Sequence, residues 1–160
     1  MNMIDGIPDH ATLARLAPAS RLLGTSAAAL LGQYRDLDGA GWAVRTAVAL
    51  TARRSVAAFS YISLAPQPAG FGWQQLTATM PGHRRRGLSR HLKSRLLVRI
   101  VEDRPDIERL LTLNNAARRG ILALNRLLGF RATERGRQWR LSVDALDLAA
   151  AAGLRLDGQE

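Results

Sequence analysis

The chain has 160 residues, 47% of them hydrophobic, which suits one buried core and makes two full domains improbable. It has no cysteine, so disulfides, thiolate metal sites and a cysteine nucleophile are excluded. Its net charge of +10 is uneven: residues 81–140 hold 15 Arg and one Lys against five acids, an excess of 11 positive charges, whereas the rest has seven Arg against eight acids. Such clustering suits an anionic ligand or partner.

Met1 to Asp9 carry two acids and no basic cluster, and no run of about 18 apolar residues occurs, so neither a signal peptide nor a membrane span is expected and a cytoplasmic location fits. One domain over 1–160 is expected, with a helical part at 1–41, a sheet and site core at 42–143 and a tail at 144–160. Asp9 to Leu16 predicts a short helix ended before Pro18, and Thr25 caps a second through Ala29, Leu30 and Tyr34. Asp36 to Gly41 reads as a turn. Trp42–Leu50 and Ser55–Leu64 predict an antiparallel pair turning at Arg53 and Arg54. After a loop with Pro66 and Pro68, Phe71–Met80 predicts a third strand, with Trp73, Gln75, Thr77 and Thr79 on one face and Gln74, Leu76, Ala78 and Met80 on the other.

Pro81 and Gly82 break that strand, and Gly87–Asp103 follows as the clearest helix. Leu88, Leu92, Leu96 and Ile100 repeat every four residues with Leu97 and Val101 alongside, leaving Arg90, Lys93, Ser94 and Arg99 to the other faces. Ile107–Leu113 predicts a strand, Ala116–Leu128 a helix ended by Gly129, and Glu134–Gly136 the turn of a last hairpin returning through Trp139, Leu141 and Val143. This order predicts an α/β (α+β) domain, a mixed sheet covered by helices with one right-handed parallel crossover.

Pro81 to Ser89 is where chemistry is expected. A strand breaks, three arginines follow and Gly87 opens a helix, so unpaired amides, a helix dipole and bidentate cations converge on one anion site. His10, His83 and His91 have no carboxylates at ligand spacing, so no metal site is expected.

Thr79-x-Pro81-x-His83-Arg84-Arg85-Arg86-Gly87-Leu88-Ser89 resembles the acyl-CoA signature of the GNAT N-acyltransferase superfamily, with Arg84, Gly87 and Ser89 at its defining places. Thr112-Leu113-Asn114-Asn115, the helix after it and Gly129-Phe130-Arg131 resemble the ending of one bacterial GNAT group. The resemblance implies a sheet splayed between the fourth and fifth strands and transfer of an acetyl or other acyl group from acyl-CoA to an amine, by direct attack in a ternary complex. It implies that Ala78, Thr79 and Met80 run beside the pantetheine arm, that Arg84, Arg85, Arg86, Gly87, Leu88 and Ser89 hold the pyrophosphate, and that Asn114 faces the crevice; as a bare sequence feature Asn114 also reads as a helix cap. Arg118 stands where many relatives have asparagine, and Asn125 where they carry the tyrosine that protonates the departing thiolate. Ser89 replaces a usual Gly or Ala. The implied acceptor is a small-molecule or peptide amine, with a homodimer compatible.

No Asp or Glu occurs between Asp38 and Glu102, so the carboxylate base many relatives place on the central strands is missing. Gln74, Thr77, Tyr61 and His83 are the polar residues left. If the protein is an enzyme, the acceptor amine is expected either to have a low pKa or to lose its proton to water through Gln74 and Thr77, with a rate that climbs with pH and has no neutral optimum. The missing acid and tyrosine also suit a GNAT-fold protein that binds acyl-CoA or a partner without catalysis. A nucleic-acid binder fits the charge but lacks interleaved aromatics, since Phe130 and Trp139 read as core. A basic amphipathic membrane helix over Leu88–Val101 fits no better than core packing.

Overall fold

A computed structural model describes residues 2–5, 8, 10–21 and 24–133. In chain order the elements are β1 (Asn2–Asp5), α1 (His10–Arg21), α2 (Ala27–Gly39), β2 (Ala43–Leu50), β3 (Val56–Leu64), β4 (Phe71–Thr79), a 3-10 turn (Pro81–His83), α3 (Leu88–Asp103), β5 (Arg109–Leu111) and α4 (Arg119–Leu127). The expected last hairpin through Trp139 and the tail at 144–160 lie outside the described residues.

The sheet runs in the order β1-β2-β3-β4-β5, antiparallel up to β4 and parallel between β4 and β5. This is the mixed sheet that the element order predicts. β1 is new: the first forty residues read as helical, yet Asn2 to Asp5 pair with Val48 to Arg45. Four residues carry too little periodicity to declare a strand, and a partner forty positions away decides it.

All nine residues of β3 are buried, as for a central strand covered on both faces. On one face Leu16 and Ala19 of α1 and Leu30 and Tyr34 of α2 pack on Val44, Val48, Phe59, Tyr61 and Ala78. On the other Leu92, Leu96 and Ile100 of α3 pack on Ala47, Ala58, Ile62 and Leu64. Ser26 rather than Thr25 caps α2, its hydroxyl accepting from the Ala29 amide at 3.0 Å. α1 runs through Pro18 instead of ending before it. That proline has no N–H to give the preceding turn, but Leu16 and Ala19 are fully buried around it and hold the turn in place.

The two faces of β4 differ from simple alternation. Ser60 pairs with Thr77 but Ile62 with Gln74, so Gln75 and Leu76 together oppose Tyr61 in a β-bulge. The extra residue turns Gln74 and Thr77, three apart, onto the same α3-facing side, where alternation had separated them. Gln75 and Leu76 both turn to the opposite face: Gln75 Nε2 donates to Ser63 Oγ at 2.9 Å and Leu76 packs near Tyr61.

β4 and β5 share only three paired positions, Phe71↔Arg109 to Trp73↔Leu111. Gly72 is where they close up: a Cβ there would lie 2.8 Å from Leu64 Cδ2 and from the Ser63 carbonyl, and 3.0 Å from Leu110 Cδ2. Beyond Trp73 the strands part, and β4 continues alone on that edge to Thr79. The expected splay between the fourth and fifth strands is therefore present.

Candidate active site

The bulge gathers a polar cluster on the α3 side of the sheet. Ser60 Oγ is its hub, 2.8 Å from Thr77 Oγ1 and accepting from Gln74 Nε2 at 3.1 Å; the same Nε2 donates to the Tyr61 carbonyl at 2.9 Å. Gln74 is 4% exposed and its Oε1 has no partner among the described residues. A buried acceptor left open is costly, so this atom marks a place for a donor brought by water or ligand.

The gap between β4 and β5 is bridged by side chains. Thr112 Oγ1 donates to the Gln74 carbonyl at 3.1 Å, and Asn114 Nδ2 donates to Thr112 Oγ1 at 3.1 Å. Asn114 is thus not a helix cap. Turns occupy 115–118, with Asn115 Oδ1 accepting from the Ala117 amide, and α4 begins only at Arg119, with Arg118 exposed at its N-cap.

Along the parted edge, the antiparallel ladder decides which backbone groups are free. Met80 N–H donates to the Ala57 carbonyl at 2.9 Å, which by alternation also turns Ala78 toward Phe59. The Met80 carbonyl accepts from the His83 amide at 2.8 Å. Thr77 and Thr79 therefore turn their backbone groups to the gap, and Ala78 and Met80 do not. The Thr79 carbonyl accepts from Arg84 Nε at 3.3 Å, and Thr79 Oγ1 lies 2.7 Å from Ser89 Oγ, tying the end of β4 to the first turn of α3.

Between these anchors the chain forms a cradle. Arg85 and Gly87 both sit in left-handed backbone, at φ 61° and 74°, with exposed Arg86 between them. The amides of Arg85 to Arg90 have no acceptor among the described residues, the first helical bond being His91 N–H to the Gly87 carbonyl. Consecutive free amides at a helix start, with Arg84, Arg85, Arg86 and Arg90 exposed around them, are the donor set a diphosphate needs. A cavity of about 240 Å³ opens here, lined by Thr79, His83, Arg84, Arg85, Gly87, Leu88, Ser89, Arg90 and, from α4, Leu124. His83 also borders a second cavity of about 380 Å³ on the α1 side, with Arg15, Pro18, Ser55, Val56, Met80, Pro81 and Gly82.

Two findings correct the sequence reading of the helices. Val101, expected inward, is 74% exposed, and Lys93, expected on an outer face, is 1% exposed. Lys93 lies one turn beyond Ser89 on α3; its Nζ donates to Asn125 Oδ1 on α4 and sits 5.1 Å from the centre of the Phe130 ring. Burial lowers it to about 8. The pattern held a signal for this, since positions 89, 92, 93, 96 and 100 form one helical stripe. Asn125 is itself 5% exposed and is held by the end of α4: Gly129 at φ 89° lets its amide reach the Arg126 carbonyl and lets the Phe130 amide reach the Asn125 carbonyl, each at 3.0 Å. Tyr61, one of the polar candidates, is 1% exposed, donates to Gln33 Oε1 at 3.1 Å and is pushed up to about 12 by burial, so it is no base near neutral pH. Among the described residues no three metal-binding side chains cluster, and no helix is long and apolar enough to cross a membrane.

No protein-family model and no curated sequence matches the chain. Solved structures do. An aminoglycoside 6'-N-acetyltransferase, AAC(6')-Ig from Acinetobacter haemolyticus, is 18% identical with a TM-score of 0.66 over 90% of this chain and 100% of that one. AAC(6')-Iy, solved with a CoA-linked bisubstrate analogue, is 15% identical with a TM-score of 0.64 over 89% of this chain and 99% of that one. A tandem GNAT protein from the clavulanic acid biosynthesis pathway is 17% identical with a TM-score of 0.70 over 80% of this chain and 40% of that one. A sheet parted beside an amide-rich helix start, superposable over eight- to nine-tenths of the chain on these structures, is the GNAT fold, and that is the fold of this protein.

Proposed function

We propose that the protein is an acyl-CoA-dependent N-acyltransferase that moves an acetyl or similar acyl group to an amine by direct attack. The observation that carries this reading is the free-amide cradle of Arg85 to Arg90 at the end of the parted strand. In it the amides of Arg85 to Ser89 hold the pyrophosphate of coenzyme A, with Arg84, Arg85, Arg86 and Arg118 adding charge. Thr77 and Thr79 offer backbone groups to the pantetheine amides, in place of Ala78 and Met80. Asn114 borders the same crevice, and Asn125, standing where many relatives carry the acid, would offer its amide as a hydrogen-bond donor to the sulfur. The acyl-CoA would supply the thioester; the chain binds it, aligns it and receives the amine.

Proton removal falls to water. Gln74 Oε1 is free to hold a water or the acceptor N–H, and Thr77 and Ser60 complete the row, but none of the three takes up a proton near neutral pH. The acceptor is therefore an amine that is already largely neutral or loses its proton to solvent. Two of the neighbours are aminoglycoside N-acetyltransferases, so aminoglycosides belong among the amines to be tried.

Thermal shift with coenzyme A and acetyl-CoA tests the site. Ligand at about 100 times its dissociation constant stabilises the fold by roughly 2.7 kcal/mol, and Gly87→Val, which strains the left-handed position, removes most of that gain. Absence of any shift in the native protein defeats the reading. Thiol release across neutral and cationic amines then separates a transferase from a protein that only binds acyl-CoA.

A further inference from the structure

Lys93 has no role in the site so far, yet it is the most unusual side chain beside it. It is the chain's one lysine among 22 arginines, it is 1% exposed, and its Nζ bonds to Asn125. A buried ammonium is costly, and a leucine would fill this stripe of α3 without that cost. Among the described residues its partners carry no charge: α4 presents Asn125, the segment after α4 presents Phe130, and burial is what lowers it to about 8. Its neighbours border the cradle. Ser89, one turn before it, ties to Thr79, and Leu124, next to Asn125, lines the same cavity as Thr79, Gly87 and Ser89.

We propose that Lys93 is a positioning residue that holds Asn125 by its amide oxygen, turning the Nδ2 hydrogens toward the sulfur of coenzyme A so that the thiolate leaving group is stabilised by a polarised amide and a buried cation. This deepens, and rests on, the acyltransferase reading. In the transfer the acceptor nitrogen forms the new C–N bond as the C–S bond breaks. The electron pair of that bond stays on sulfur and the proton on nitrogen passes to water. Asn125 has no proton to release, so a hydrogen bond and a charge do what a proton donor does elsewhere. A lysine fixed to the amide oxygen settles which end of Asn125 points out, which a lone asparagine leaves open. Loss of the ammonium proton would undo both effects, so an activity that climbs as the acceptor amine deprotonates falls again once Lys93 of the loaded enzyme gives up its proton.

The test uses free coenzyme A bound to the whole protein, with its thiol titrated by thiolate ultraviolet absorbance. In the native protein and in Lys93→Arg, which keeps the charge, the bound thiol ionises at lower pH than in solution. In Lys93→Met and Asn125→Ala it ionises about one unit higher than in the native protein, a tenfold loss of thiolate at a given pH. A thiol that titrates alike in native protein, Lys93→Met and Asn125→Ala overturns the proposal. If Lys93→Met fails to fold, the native protein labelled with [ε-13C]lysine gives one resonance, since there is one lysine. Its titration moves to higher pH when coenzyme A binds, and an unmoved titration overturns the proposal equally. Failure of the native protein to bind coenzyme A at all sinks the acyltransferase reading itself, whereas binding with an indifferent thiol sinks only the role of Lys93.

Discussion

A lysine ammonium that is 1% exposed has given up nearly all its water, and Lys93 regains one hydrogen bond and the face of Phe130. The sign of its pH dependence follows. Burial lowers the native group from 10.5 to about 8, so between those values the unfolded chain binds the proton and the native one does not. Native stability therefore rises with pH across that window, and below it the cost is present in full. Urea unfolding at about pH 7.5 and about pH 9.5 should show native protein gaining on the order of 2 kcal/mol relative to Lys93→Met across that step. A difference between the two proteins that does not change with pH contradicts the burial. The residue was legible in sequence as part of the stripe through Ser89, Leu92, Leu96 and Ile100, but its charge argued for an outer face. Only a partner on another helix, 32 positions away, makes the inward position tenable.

At the level of elements, β4 does most to shape the site, and it does so through one extra residue and one missing side chain. The bulge at Gln75 and Leu76 brings Gln74 and Thr77 to the same side, which alternation along the strand cannot foretell because a bulge is set by the partner strand. Gly72 lets β3, β4 and β5 close together before the last two part. Gly72→Ala should cost about 1–3 kcal/mol, because the new methyl meets the Ser63 carbonyl and Leu64 at 2.8 Å and the backbone must shift. Gly32→Ala, in the middle of α2 with nothing within 4 Å, should instead stabilise by about 0.5–1 kcal/mol. Denaturant midpoints of the two variants on opposite sides of the native protein bear this out; both on the same side would not. The end of α4 was the more readable element, since Gly129 takes the left-handed position expected of a capping glycine.

Across the whole molecule the charge is the dominant feature, with an excess of 11 positive charges in residues 81–140 against a nearly balanced remainder. Arg84, Arg85, Arg86 and Arg90 are exposed around the cradle, where a multiply charged ligand feels them together. Coenzyme A affinity measured by calorimetry should therefore fall several-fold as ionic strength rises from about 0.01 M to about 0.15 M, since the screening length contracts from about 30 Å to about 8 Å. An affinity indifferent to salt would leave recognition to the backbone amides alone.

Sequence by itself determined the sheet-and-helix order from Trp42 to Phe130, the tri-arginine turn opening α3 and the absence of an acid between Asp38 and Glu102. These are local matters of periodicity, breakers and composition, which a chain displays without its fold. Tertiary structure alone decided the β1 pairing, the faces of β4, the backbone edge offered by Thr77 and Thr79, and the meeting of Lys93 with Asn125. Each depends on which distant segment lies alongside, and strand register and helix docking are properties of pairs, absent from any single stretch of sequence.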